Sequence, residues 1–344
     1  MKSSTLNLTA VIGLMAMLAV GTSARADVLL SDEFDRDDVN IGENWDDNED
    51  FGGTAVEATT ATDPDGHVFF EPNQKMWSKI IPTYGFKDLY YSQTASFAGG
   101  VETSDELFIR YQTPGGALTD IATVYHPNGN VTNQPLGPAA EDAYFRMAYA
   151  AGDLFGDERV LLDNMSLDAT PTGAATAEDI YFNQFTDNSD LANWALASDS
   201  GGSMSQNVTA LQMRGSGSNV SVTRTIDTTN YENLALLVTG QAISLEGYQD
   251  ETFFIEYSTD NGSNWTVLDS GDSSARLEAF VSLPAAAENN PNFMVRGRVT
   301  KFSRSNEYAR IDMLHLVGMP IPEPGTLALL GLGGLAALVR RRRA

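Results

Sequence analysis

The sequence predicts an all-β protein built from two tandem antiparallel β-sandwiches of the jelly-roll kind. Two observations lead to this prediction: short β-rich runs separated by turn sequences, and an internal repeat with a period of about 150 residues. Away from its two ends, the chain shows no long stretch with the 3.6-residue period of an amphipathic helix. A repeat of this size indicates whole domains, because solenoid and propeller units are only about 20–50 residues long.

Five runs have the length and composition of strands. They are Leu89–Ala98, Leu107–Thr113, Leu234–Gln241, Thr252–Ser258 and Asn292–Lys301. Phe253, Ile255 and Tyr257 alternate with less apolar residues, which is typical of an antiparallel strand with one buried face. The turn sequences DPDG, TPGG, HPNGN and STDNGSN separate such runs.

The repeat is visible in three pairs of segments, with offsets of 145, 146 and 149 residues. They are Ser78–Tyr91 with Thr223–Leu236, Phe108–Thr113 with Phe254–Thr259, and Glu158–Leu167 with Glu307–Leu316. A stretch rich in Ala, Thr, Pro and Gly joins the copies and is typical of a linker. We therefore predict a first domain at 27–168, a linker at 169–179 and a second domain at 180–319.

The second copy contains the segments FNQFTDNSDLANW, IEYSTDNGSNWTVL and EYARIDMLHL. In these it resembles the jelly-roll domains of bacterial exported proteins and MAM-like extracellular modules, which implies a β-sandwich. Ser258–Trp265 also fits the Asp-box pattern. We interpret it as a structural hairpin in which Asp260 accepts backbone hydrogen bonds, Gly262 takes a positive φ and Trp265 packs back on the strand.

The first 26 residues have the features of a secretory signal peptide. Lys2 provides a positive charge, and an apolar run covers Leu6–Val20. Ala24 and Ala26 place small residues at the −3 and −1 positions, so we expect signal peptidase to cut after Ala26.

The other end carries a short apolar run, 325–339, followed by four arginines, Arg340, Arg341, Arg342 and Arg343. As a helix the run extends roughly 22 Å, which is short for a hydrocarbon layer about 30 Å thick. Its four glycines weaken it further. The arginines favour the cytoplasmic side, so we expect transient anchoring of an exported chain in the inner membrane.

Residues 320–344 contain Pro322, Glu323 and Pro324 ahead of this run and the arginine cluster. In this order they resemble the PEP-CTERM sorting signal. The resemblance implies export by a bacterium with an outer membrane that also makes exopolysaccharide, with processing at Pro-Glu-Pro by an exosortase. A plain short membrane anchor is the alternative.

Charge and composition exclude several classes of function. Without Met1–Ala26 and the segment from Pro322, which together hold six of the 21 basic and one of the 46 acidic residues, the net charge is −30. Such a chain repels nucleic acid and anionic lipid. The absence of cysteine excludes thiolate zinc sites and cysteine nucleophiles. The three histidines show no ligand spacing.

In each copy one acid falls on the apolar face of the last strand, Asp163 in the first and Asp312 in the second. An acid on such a face is costly unless it is paired, hydrogen-bonded or bound to a metal. The resemblance to jelly-roll modules implies a structural Ca²⁺ between the first and last strands. In the first copy Asp163 with Asp32, Glu33 and Asp35 forms such a candidate site, and the second copy has a poorer set around Asp312, with Asn183, Gln184 and Asp187. The alternative is a β-bulge that turns the acid toward solvent.

Trp77, Tyr90 and Tyr91 are candidates for stacking on sugar rings, with only one of the two tyrosines facing outward. Trp45 and Trp194 occupy matching repeat positions and are predicted to lie in the cores. WDDNED at 45–50 does not show the separated carboxylate pair that glycoside hydrolysis requires. We therefore predict no catalytic residue.

The function that the sequence favours is that of a non-enzymatic exported protein of the cell surface or extracellular matrix, with a structural or adhesive role. The first alternative is a lectin-like module that binds exopolysaccharide. The second is a polysaccharide hydrolase or lyase.

Overall fold

The computed structural model describes residues 27–32, 45–48, 68–70, 75–100, 102–155, 158–185, 188–199, 201–207, 210–215, 217–246, 250–273 and 275–322. The predicted signal peptide, the apolar run at 325–339 and the arginine cluster lie outside these residues. Within them the chain forms 22 strands and three short 3₁₀ turns, at Pro138–Ala140, Asn188–Asn193 and Ala285–Ala287.

The first half of the chain forms two antiparallel sheets. Its strands are β1 (Asp27–Asp32), β2 (Trp45–Asn48), β3 (Val68–Phe70), β4 (Lys75–Ser78), β5 (Ile81–Pro82), β6 (Phe86–Ala98), β7 (Glu106–Gln112), β8 (Leu118–Tyr125), β9 (Val131–Pro135), β10 (Tyr144–Gly152) and β11 (Arg159–Pro171). One sheet has the order β1-β11-β6-β9, with β3 also paired to β11. The other has the order β2-β4-β10-β7-β8, with β5 also paired to β10.

The second half repeats this plan. Its strands are β12 (Glu178–Asn183), β13 (Trp194–Ser198), β14 (Ser203–Asn207), β15 (Ala210–Arg214), β16 (Ser218–Ile226), β17 (Tyr231–Ile243), β18 (Phe253–Ser258), β19 (Thr266–Gly271), β20 (Arg276–Ser282), β21 (Phe293–Phe302) and β22 (Tyr308–Pro320). One sheet has the order β14-β15-β22-β17-β20, with β12 also paired to β22, and the other has the order β13-β16-β21-β18-β19.

The sequence prediction of an all-β chain of antiparallel sandwiches is confirmed. The five predicted strands correspond to β6, β7, β17, β18 and β21. In each half the last strand, β11 or β22, lies inside its sheet beside the strand that the 145-residue offset aligns, β6 or β17. The stretch predicted as a linker is partly taken up by strands, because β11 continues to Pro171 and β12 begins at Glu178.

Each half has its own apolar core between its two sheets. In β7, Leu107, Ile109 and Tyr111 are buried while the residues between them are partly exposed, as the period of a strand requires. Trp194 lies in the second core, as predicted. The backbone of Trp45 lies in β2, and its side chain is outside the described part of the structure.

A buried threonine ties a 3₁₀ turn to the sheet in both halves. The Thr83 hydroxyl donates to the Ala140 carbonyl at 2.6 Å, and the Thr228 hydroxyl donates to the Ala287 carbonyl at 2.6 Å. Both threonines are fully buried and lie 145 residues apart, so the sequence repeat extends to individual hydrogen bonds.

An apolar cluster joins the two halves. From the first half come Ile80 and Tyr144, and from the second half come Ala235, Leu237, Phe280, Met313 and Val317. This contact explains why β17 is buried on both faces from Leu234 to Ala242 instead of alternating. One face of β17 covers its own core, and the other is covered by the first half.

His315 forms the buried polar centre of this joint. Its Nδ1 accepts a hydrogen bond from the Ile80 backbone N–H at 3.0 Å, and its Nε2 lies 2.9 Å from Asp179 Oδ1. Because Nδ1 is an acceptor, the ring is neutral and Nε2–H donates to Asp179. Lys79 pairs with the same carboxylate at 3.6 Å, so one cation from the first half faces an acid of the second.

Arg146 supplies a second polar contact across the joint. Its buried guanidinium stacks 3.9 Å from the centre of the Trp77 ring and pairs with Glu278 of the second half. Gln112 accepts two further hydrogen bonds from it, at 2.7 and 3.0 Å. A buried arginine held from several sides fixes the orientation of the partner that it binds.

Replacing Thr228 by valine should lower the free energy of unfolding by about 1–3 kcal/mol. The change leaves the buried Ala287 carbonyl without its donor while keeping the side-chain volume. Urea denaturation measures this, with Thr225→Val on the exposed side of β16 as the control. Equal midpoints for the two variants would contradict the anchoring role.

Stability should fall as the pH drops below about 6.5, the ordinary pKa of histidine. Burial lowers the pKa of His315 in the folded chain, so the unfolded chain takes up a proton that the folded chain resists. Burial alone would raise the pKa of Asp179, but the hydrogen bond from His315 and the charge of Lys79 hold it below its usual value. The stability that ionised Asp179 contributes is therefore lost only at more acid pH, as this carboxylate becomes protonated.

Urea midpoints at pH 7.5 and pH 5.5 test this expectation in the wild type, His315→Gln and a control, His126→Gln. The wild type and the control should lose stability between the two pH values, and His315→Gln should lose markedly less. A full loss in His315→Gln would show that another group is responsible.

Candidate functional site

The residues predicted to bind calcium are only partly described. β1 pairs with β11, and Asp32 lies opposite Met165, so the first and last strands of this half are neighbours as expected. Glu33 and Asp35 lie outside the described residues, as does the side chain of Asp163. Calcium binding at this place stays a prediction.

A β-bulge, offered as the alternative for these acids, is present in both halves, but the side chain of Asp312 is only 12% exposed and is not turned toward solvent as that alternative required. The register of β11 against β6 shifts between Asp163 and Met165. The register of β22 against β17 shifts at the matching place, where Met313 and Ile311 pair with successive residues of β17 and Asp312 is left over. Asp312 pairs with Arg310 at 2.9 Å, so an arginine already balances its charge.

The sugar-stacking prediction fails at two of its three residues. Tyr91 is fully buried, with its hydroxyl 2.7 Å from that of Tyr149. Trp77 is only 8% exposed, because the guanidinium of Arg146 covers its ring at the joint. Tyr90 faces outward and is 41% exposed, as expected for one tyrosine of the pair.

The second half has a surface cluster of aromatic and charged side chains that was not predicted from the sequence. It lies on the outer side of β18 and β21 and consists of Phe254, Glu256, Trp265, Arg296 and Arg298, which we call the arginine–aromatic face. Arg296 stacks 3.8 Å from the centre of the Trp265 ring, and Arg298 stacks 4.4 Å from that of Phe254. The first half packs against the other sheet of this sandwich, so this face is left uncovered by it.

Strand alternation explains why these residues meet. Phe253 and Ile255 point into the core, so Phe254 and Glu256 point outward. Glu256 lies opposite Arg296, and Phe254 lies opposite Arg298, in the register of β18 and β21. The alternating pairs Phe254/Glu256 and Arg296/Arg298 were the available sequence signal, but the strand register was needed to bring them together.

Glu256 holds both arginines in place. It accepts hydrogen bonds from Arg296 Nε at 2.8 Å and from Arg298 Nη2 at 3.0 Å. Burial alone would raise its pKa, but the hydrogen bonds and charges of Arg298 and Arg296 outweigh burial and lower the pKa. Glu256 therefore stays ionised at neutral pH. The face offers flat, stacked rings and guanidinium planes beside polar donors.

The predicted Asp-box hairpin is confirmed and positions Trp265. Asp260 Oδ1 accepts from the Asn264 backbone N–H at 2.8 Å, and Gly262 has φ +80°. The Trp265 indole N–H donates to the Gly262 carbonyl at 3.0 Å, which holds the ring on the strand surface under Arg296. The hairpin is thus structural, and its tryptophan also belongs to the arginine–aromatic face.

Most of the predicted processing residues cannot be placed. Ala24, Ala26, Glu323, Pro324 and the four arginines lie outside the described residues, and Pro322 is exposed two residues beyond β22. The described part of the chain contains no helix with the length and apolar character needed to cross a membrane.

Residues 320–343 match the family model of the PEP-CTERM protein-sorting motif. The chain therefore carries this motif, the mark of an exported protein that an exosortase sorts. A comparison with curated proteins gave no match.

Solved structures similar to this chain include three of bacterial origin. The CBM22-1-CBM22-2 tandem domain of Xyn10C from Paenibacillus barcinonensis is 11% identical, with 86% of this chain and 99% of that chain covered and a TM-score of 0.27. The K3 cleaved adhesin domain of Lys-gingipain from Porphyromonas gingivalis is 11% identical, with 41% and 98% covered and a TM-score of 0.31. The CBM22-1 xylan-binding domain of the Paenibacillus protein is 11% identical, with 44% and 99% covered and a TM-score of 0.28. At TM-scores this low, no function is transferred from them.

Proposed function

We propose that this protein is a structural or adhesive component of the cell surface or extracellular matrix, delivered by exosortase sorting. The observation that carries the proposal is the sorting motif at residues 320–343. Export also suits the strong negative charge, which favours solubility and does not favour binding to nucleic acid.

The delivery that we propose has two processing steps. Signal peptidase removes residues 1–26 during export. The apolar run at 325–339 and the arginines after it then hold the chain in the inner membrane until an exosortase acts at Pro322-Glu323-Pro324. The processed body would be a pair of joined β-sandwiches with a final location at the outer surface or in the matrix.

We further propose that the body is not catalytic. The ionisable groups described above support this, because each is engaged in an ion pair or a hydrogen bond that holds the fold together. His315 and Asp179 hold the joint between the halves, and Glu256 holds two arginines. A hydrolase or lyase is the competing proposal, and release of reducing ends from a panel of polysaccharides by the purified protein would establish it.

Replacing Pro322, Glu323 and Pro324 together by alanine should stop processing, because these residues are the recognition sequence of the sorting enzyme. Mass spectrometry of surface-recovered wild type should find a chain without Arg340–Arg343. The triple variant should remain in the inner-membrane fraction with the arginines attached. Thr326→Ala, just beyond the recognition sequence, is the control and should be processed normally.

Surface-recovered wild type that still contains the four arginines would contradict the proposed route.

The arginine–aromatic face favours carbohydrate binding as a second candidate function. Its rings and guanidinium planes offer flat surfaces for sugar rings, and its arginines offer donors for hydroxyl or carboxylate groups. In the described part of the first half, the exposed rings of Tyr90, Tyr125 and Phe155 lie on three different segments: on β6, on β8 and after β10. We therefore place the carbohydrate site on the second half.

Pull-down with insoluble polysaccharide and with exopolysaccharide of the producing cells tests this candidate. Trp265→Ala and Phe254→Ala should each weaken binding about tenfold, since the loss of one stacking ring is worth about 1–2 kcal/mol. Tyr90→Ala is the matched control and should bind as the wild type does. If the wild-type protein binds no polysaccharide, carbohydrate binding is excluded and only the structural role remains. If only Tyr90→Ala weakens binding, the site lies on the first half.

A further inference from the structure

Three glutamates meet at one end of the second sandwich. Glu246 and Glu251 lie in the loop between β17 and β18, and Glu307 lies in the loop between β21 and β22, so two loops bring them together. One carboxylate oxygen from each lies within 4.8 Å of those of the other two. Glu251 and Glu307 are fully buried, and Glu246 is partly buried. Like charges this close and this far from water repel strongly unless something balances them.

The hydrogen bonds around two of these carboxylates differ. Glu307 accepts from the Ser303 backbone N–H at 2.6 Å, from the Ser303 hydroxyl at 3.0 Å and from the Arg304 backbone N–H at 2.8 Å. Glu251 accepts through Oε2 from the Glu246 backbone N–H at 2.6 Å. Its other oxygen, Oε1, is buried and accepts no hydrogen bond from the residues that the structure describes. A buried carboxylate oxygen in that position calls for a cation.

The charge of the cluster indicates which kind of cation fits. Arg304, whose side chain is 55% exposed, pairs with Glu246 at 2.6 Å from the solvent side. Three carboxylates and one guanidinium leave two negative charges, which a divalent ion balances. Calcium takes oxygen ligands at about 2.3–2.6 Å, so two oxygens on one ion lie at most about 5 Å apart. The spread of these carboxylate oxygens agrees with that limit.

We propose that Glu246, Glu251 and Glu307 bind a divalent cation of the calcium type, which fastens the β17–β18 loop to the β21–β22 loop at this end of the second sandwich. Glu251 Oε1 is the central ligand, and Glu246 and Glu307 supply the other carboxylates. The site shares no residue with the calcium site predicted from the sequence. An exported chain meets calcium at concentrations where sites of modest affinity, with Kd about 10⁻⁴–10⁻³ M, are occupied.

The first half contains a matched comparison. Asp105 and Glu158 occupy the corresponding loop positions and are buried, and they accept backbone hydrogen bonds from Glu102 and Phe155 at 2.5 Å. Among the residues that the structure describes, no third acid completes a set around this pair. The proposal therefore applies to the second half, and Asp105→Asn serves as a control for the loss of a buried acid without loss of the ion.

Calorimetric titration of the purified protein with calcium chloride, and separately with magnesium chloride, tests the proposal. The wild type should bind calcium with one ion assigned to this site, and Glu251→Gln should lose that ion or bind it at least about tenfold more weakly. Asp105→Asn should bind as the wild type does. The thermal midpoint of the wild type should rise with calcium more than that of Glu251→Gln. Magnesium should have a smaller effect, because it requires a tighter octahedron.

Glu246→Gln gives the same test at a partly exposed position, in case Glu251→Gln does not fold. Unchanged calcium stoichiometry and affinity in both glutamine variants would overturn the proposal. It would also be overturned if Glu251→Gln were more stable than the wild type with and without calcium, because Glu251 would then be an uncompensated buried acid.

Discussion

The joint between the two halves is the constraint on which the rest of the structure depends. A neutral His315 accepts a hydrogen bond from one half and donates to an acid beside it, inside an apolar cluster to which both halves contribute. Without this contact, the outer face of β17 would expose Ala235 and Leu237 to water. The joint thus turns two sandwiches into a single body whose free surfaces are the remaining faces and the loop ends.

The same plan serves different purposes in the two halves. Both have a buried threonine at the 3₁₀ turn and a buried pair of acids at the loop end. They differ in two features of the second half, which has a third acid, Glu246, at that end and an arginine–aromatic face on its outer sheet. The first half instead uses its tryptophan–arginine stack at the joint. The repeat therefore preserves the scaffold, and the two copies differ at their surfaces.

Much of the fold was predictable from the sequence, because strand period and the repeat are local or regular signals. The position of Trp194 and the opposite orientations of Tyr90 and Tyr91 followed from them. The joint was not predictable. The run LALLV at 234–238 of β17 has the composition of a strand, but composition does not identify the surface that covers its second face. The glutamate cluster was not predicted for the same reason: Glu307 heads an aligned segment, but its two partners lie in a different loop, between β17 and β18. The alignment drew attention to Asp163 and Asp312, where the structure has bulges.

The position of β22 has a consequence for the timing of folding. This strand lies inside its sheet, between β15 and β17, and ends at Pro320, the first residue of the sorting motif. The sheet cannot be completed while residues up to Pro320 are still in the export channel. On the proposed export route, the second sandwich can therefore be completed only after this strand has left the channel, and so can the joint, to which β22 contributes Met313 and Val317.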